Sequence, residues 1–171
     1  MKRLIRRLDS TRTKLLQLIG PLDEPTLNRR PSENEWSIAE IVNHLYLVEE
    51  RVIKDLEKAL AREPRRPGLM RRLVPTSIVA SRLIRVKAPK AVDPIGKPET
   101  HGNIADLKQT RQQLKQLCET YGRERLSRTT FKHPFLGEIT GVATVSFVGY
   151  HEQRHLKQMK EVLRRIGHRS H

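Results

Sequence analysis

The chain has 171 residues, 36% apolar and only 4% aromatic, with a formal net charge of +15. That length supports one domain over residues 1–171 with a core of its own, filled by Leu, Ile and Val rather than by rings. Its single cysteine, Cys118, excludes an internal disulfide and any cysteine-based metal site.

The sequence predicts four long helices and no strand. The first covers residues 2–19, where Leu4, Ile5, Leu8, Leu15, Leu18 and Ile19 recur at spacings of three, four and seven. Gly20-Pro21 stops it. The second opens on Ser37-Ile38-Ala39-Glu40, a capping box preceded by Trp36 as a hydrophobic staple. Its apolar stripe runs from Ile38 through Ile41, Val42, Leu45, Val48, Val52, Ile53 and Leu56 to Leu60, and Pro64 ends it. Residues 64–98 hold six of the ten prolines and the cations Arg65, Arg66, Arg71, Arg72, Arg82 and Arg85. This stretch reads as a loop-rich, partly helical insertion over one end of the bundle, with one short helix around residues 70–84. The third long helix covers residues 103–121 and is ended by Gly122; Cys118 lies on its apolar side, a buried thiol rather than a nucleophile. The last covers residues 141–166, with Gly167 beyond it. The fold class expected is therefore all-α, an antiparallel four-helix bundle.

Chemistry concentrates on histidines. His151 and His155 lie four apart, one above the other on a helical face that Val148, Met159, Val162 and Ile166 mark as inward. His44 repeats the pattern on the second helix, three after Ile41 and four before Val48. Each alone is readable as a satisfied core histidine. Together, three inward imidazoles from two helices form an open coordination set for a divalent metal ion, and Zn, Ni, Fe and Mn all suit it. His101 reads as a cap or surface residue, His133 as part of a turn, and His168 and His171 as part of a frayed tail.

His151-Glu152-x-x-His155 also matches the zinc-peptidase pattern, with Glu152 as general base. The extended form of that pattern wants Gly and His where Gln158 and Glu161 stand, and sixteen residues after His155 leave no room for a later helix with an acidic ligand. A peptidase is the minor reading. A larger pattern fits better. Trp36-Ser37-x-x-Glu40-x-x-x-His44-Leu45, then His133-Pro134-x-x-Gly137-Glu138-Ile139-Thr140, then His151-x-x-x-His155 resembles the DinB-like superfamily, which includes YfiT-like metal-dependent hydrolases and thiol-dependent S-transferases. The resemblance implies a four-helix bundle with a metal at one end, His44, His151 and His155 as ligands, and a homodimer.

The function expected is metal-dependent hydrolysis or low-molecular-weight-thiol S-transfer on a small-molecule, anionic substrate, with a metal-activated water or thiolate as nucleophile. No residue is assigned as catalytic. Glu152, Tyr46 and Tyr150 are the candidates to line the rim or back the ligands. The alternatives are a non-catalytic metal-binding bundle and a basic nucleic-acid-binding protein, the latter lacking a recognisable groove-reading or base-stacking motif. The basic start, Met1 to Arg7, has no continuous apolar run of a signal peptide, and no stretch is apolar enough to form a transmembrane segment, so a cytoplasmic location is expected.

Overall fold

The computed structural model describes residues 1–63, 100–133 and 137–167. The elements in chain order are α1 (Lys2–Ile19), α2 (Glu24–Asn28), α3 (Ile38–Leu60), α4 (Thr100–Ser127), β1 (Thr130–His133), β2 (Gly137–Thr140) and α5 (Gly141–Arg165). The four long helices are those the periodicity predicts. The helix expected at residues 70–84 lies outside the described residues. Two small elements were not expected from the sequence. α2 is a single turn, capped by the Asp23 carboxylate, which accepts from Thr26 N at 3.0 Å. β1 and β2 form a two-stranded antiparallel hairpin that pairs Thr130 with Thr140 and His133 with Gly137. Four-residue strands carry too little alternation to register as a pattern.

Helix boundaries follow local chemistry. Ser37 Oγ accepts from Glu40 N at 3.2 Å while the Glu40 carboxylate accepts from Ser37 N at 2.8 Å, the reciprocal box read from the sequence. Thr140 caps α5 singly, its hydroxyl accepting from Ala143 N at 3.1 Å. Gly122 leaves the helical region at φ 65°, ψ 175°, and a further turn to Ser127 follows it. Only glycine takes that φ without strain.

The helices run in two parallel pairs, each antiparallel to the other. α1 lies parallel to α5: Leu8 packs on Gly149 and Arg12 meets Glu152 further along both helices. A Cβ at Gly149 would stand 2.9 Å from Leu8 Cδ2, so the glycine sets how closely the two helices approach. α3 lies parallel to α4: Glu49 meets Arg111, and Arg125 donates to Leu60 O at 2.6 Å. The antiparallel packing expected from the sequence holds between the pairs, as in Arg111 of α4 donating to Leu8 O of α1 at 2.7 Å. Parallel neighbours cannot be joined by a short turn. The 23 residues of α3 carry the chain about 35 Å, and it must return that distance before α4 begins. The length of sequence between Leu60 and Thr100 answers this need.

The interior has two apolar halves. One gathers Leu15, Ile19, Leu27, Ile38, Ile41, Leu45, Leu107 and Met159. The other gathers Leu8, Val52, Leu56, Leu60, Leu114, Cys118, Leu126 and Val145. Between them lies a polar layer, described next with the histidines that flank it.

Candidate metal centre

α5 presents His151 and His155 one turn apart, and α3 brings His44 against them. His44 Nε2 is 3.3 Å from His151 Nε2, and His155 Nε2 is 3.2 Å from the same atom. All three donor atoms lie within 4.8 Å of one another. His44 and His155 are buried, at 3% and 6% exposure, and His151 is half-buried, so the cluster is reached from the side of His151. Trp36 holds one flank, its ring 4.9 Å from that of His44 and stacked at 6.5 Å on that of His155. Phe147 holds another, stacked at 5.3 Å on His151. The capping box that starts α3 also seats Trp36, so a local backbone signal helps build the wall of the site.

The separations fit a shared cation. Two imidazole nitrogens each about 2.0–2.1 Å from one metal, at near-tetrahedral angles, stand about 3.3 Å apart. Hydrogen bonds alone serve the arrangement less well. Nε2 of a neutral imidazole is either donor or acceptor. His151 Nε2 faces two other ring nitrogens and cannot donate to one while accepting from the other. His155 is further constrained: its Nδ1 lies 2.9 Å from Gln158 Oε1, which can only accept, so Nδ1 carries the proton and Nε2 presents its lone pair to the cluster.

Beside the histidines lies the polar layer that divides the core. Arg12, Glu49, Arg111 and Glu152, one from each long helix, are 5%, 2%, 4% and 1% exposed. Arg12 donates through Nε to Glu152, through Nη2 to Glu49 Oε2 at 2.5 Å and through Nη1 to Leu107 O. Arg111 mirrors it, donating through Nε to Glu49 Oε1 at 2.7 Å, through Nη2 to Glu152 Oε2 at 3.2 Å and through Nη1 to Leu8 O. The four charges form a closed ring of zero net charge, in which each carboxylate bridges two guanidiniums. Burial works against the charge on Arg111, but Glu49 and Glu152 outweigh it and raise its pKa above the ordinary arginine value.

The sequence reading missed this ring, although a signal was present. Arg12 stands between Leu8 and Leu15, Glu49 between Leu45 and Val52, and Arg111 between Leu107 and Leu114, each four after and three before a core leucine or valine. Glu152 stands four after Val148 and three before His155. Charges repeated at one offset on four inward stripes imply mutual neutralisation.

The three residues expected to line the rim or back the ligands are placed as follows. Glu152 is not at the rim; it is interior, with both oxygens held by arginines. This arrangement takes away the general base a zinc peptidase would need. Tyr150 turns toward α1, where its hydroxyl accepts from Arg7 Nη1 at 3.0 Å and its ring lies 4.3 Å below the guanidinium. Tyr46 meets Glu50 and the charge of Asp106 on the α4 side, and burial together with those carboxylates raises its pKa. The side chains of His101 and His133, and all of His168 and His171, lie outside what is described.

The fold and its cluster define a class: a helical bundle carrying three convergent histidines from two of its helices. The DinB superfamily pattern matches residues 7–159, and the chain belongs to that superfamily. It is 30% identical over 151 residues to the protein YuaE of Bacillus subtilis (strain 168), an alignment covering 85% of this chain and 88% of YuaE. Among solved structures, it is similar to YfiT from Bacillus subtilis, described as "a probable metal-dependent hydrolase with an unusual four-helix bundle topology". That match has a TM-score of 0.68 and 19% identity, and covers 97% of this chain and 87% of YfiT. It is similar too to TT2238, a four-helix bundle protein, with a TM-score of 0.63 and 21% identity over 94% of this chain and 98% of that one. Among the described residues no helix is long and apolar enough to cross a membrane.

Proposed function

We propose that the chain is a metal-dependent enzyme acting on a small-molecule substrate, with His44, His151 and His155 as the ligands of one divalent ion, Zn, Ni, Fe or Mn. The observation that carries this reading is the convergence of three Nε2 atoms at separations of 3.2 and 3.3 Å on a partly open face. The description of the structural relative YfiT as "a probable metal-dependent hydrolase" supports it. A divalent ion held by these residues would lower the pKa of a bound water or thiol and so supply a nucleophile at neutral pH. The protein's own groups do the rest. Three neutral imidazoles leave the ion's double charge uncompensated, which favours an anionic substrate group or thiolate. Trp36 and Phe147 place apolar rings against two sides of the cluster. The reaction class is hydrolysis or transfer of a low-molecular-weight thiol to an electrophile.

The test is a matrix of metals and substrates. Protein loaded in turn with Zn, Ni, Fe and Mn is assayed for thiol consumption with a generic electrophile and for hydrolysis of small esters and amides. A rate that requires metal, and that His151→Ala abolishes, is the expected outcome. Metal binding with no metal-dependent rate on any substrate would instead favour a non-catalytic metal-binding bundle.

A further inference from the structure

We propose that Gln158 is a positioning residue of this centre: its side-chain oxygen accepts the Nδ1 proton of His155 and so keeps the Nε2 lone pair of that histidine directed at the metal. The inference rests on the metal-binding reading and adds to it a residue outside the three ligands.

Gln158 lies three residues after His155 on α5, where side chains one turn apart meet. The 2.9 Å contact between Gln158 Oε1 and His155 Nδ1 has one polarity, because an amide oxygen has no proton to give. A neutral imidazole carries one proton. With it held on Nδ1, Nε2 cannot be protonated without charging the ring, and it stays a donor of electrons. Without an acceptor at Nδ1 the tautomers compete, and a share of molecules present Nε2–H, which cannot ligate. The same bond fixes the rotation of the His155 ring. That rotation matters because the ring sits between Trp36, stacked on it at 6.5 Å, and the rings of His44 and His151 at 4.9 and 4.5 Å. Polarisation of Nδ1–H toward the oxygen also makes Nε2 a stronger base. Gln158 is half-buried, so its bond to His155 is partly shielded from competing water.

The reporter is built in. Trp36 is the only tryptophan, and its ring lies 4.9 Å from His44, close enough for an open-shell ion at the cluster to quench its emission. Ni²⁺ is titrated against a competing chelator into the wild type and into Gln158→Leu, Gln158→Glu, Gln153→Leu and His151→Ala, each first shown by circular dichroism to be folded. Gln158→Leu keeps size and helix preference but removes the acceptor, and it is expected to weaken Ni²⁺ binding by roughly 10–100-fold. Gln158→Glu restores an acceptor and is expected to return affinity to the wild-type level or above it. Gln153→Leu, half-buried on the same helix, is expected to match the wild type. Equal affinity of Gln158→Leu and wild type overturns the proposal. Equal weakening by Gln158→Leu and Gln158→Glu overturns it as well, because the residue would then matter for packing rather than for its oxygen. If the wild type shows no quenching that His151→Ala abolishes, the metal reading itself has failed, a result distinct from either of those.

Discussion

A histidine on the inward stripe of a helix carries its ring nitrogens away from water; here the three Nε2 atoms face one another, and Nδ1 of His155 meets Gln158. Their side chains meet because the i, i+4 spacing, readable in the sequence, stacks two of them on one face of α5, and because α3 crosses α5 at His44. Nothing in the sequence marks Gln158 as a partner of His155; there it is only a mismatch to the peptidase pattern. A different residue shows the opposite use of burial. Cys118 is 1% exposed, and burial pushes its thiol up to about 11, with the neighbouring Glu119 adding to the shift. The raised value means that the folded state favours the protonated thiol. As pH rises past the ordinary value of 9.0, an unfolded chain ionises first, and the stability this cysteine contributes is lost between that value and about 11. Thiolate absorbance of the native protein is expected to rise with a midpoint of about 11, and alkylation at neutral pH to be slow until denaturant is added. Rapid alkylation of the folded protein would show that the thiol is not held as described.

At the scale of helices, the ring of Arg12, Glu49, Arg111 and Glu152 ties α1, α3, α4 and α5 at one level. A buried charge that loses its partner is costly, whereas a complete set replaced by apolar groups of similar volume costs little. Glu49→Leu is therefore expected to destabilise the protein by about 3–5 kcal/mol in urea unfolding. The quadruple replacement of Arg12 and Arg111 by Met and of Glu49 and Glu152 by Leu is expected to recover most of that loss. Additive losses across the four positions would mean that the charges act separately rather than as a ring. The long helices were readable because a 3.6-residue period repeated over many turns outweighs local accidents. The hairpin and α2 were not, since four or five residues offer no period to count. The ring was missed for another reason. An inward stripe is marked by its apolar members, so a charge on it reads as an interruption and not as a partner.

The whole molecule explains a feature that no single element does. Helices packed as two parallel pairs require one long return of the chain, and the proline-rich, basic sequence between α3 and α4 supplies the length. From the sequence this stretch read as an insertion; the direction of α4 beside α3 shows why the chain needs it. Bundle architecture was thus readable from periodicity, but the direction of each helix was not, because direction is set by contacts such as Glu49 with Arg111 that join residues far apart in the chain. The excess of positive charge, +15 over 171 residues, is plain in the sequence and does not by itself choose a ligand. What chooses is the cluster at the α3–α5 contact. Its most direct test is elemental analysis of protein purified without an affinity tag, beside the His44→Ala, His151→Ala and His155→Ala variants. About one divalent metal ion per wild-type chain, lost in each variant, is the result expected of a three-ligand centre. Full retention of metal by His44→Ala, or wild-type protein that takes up no divalent ion at all, would contradict it.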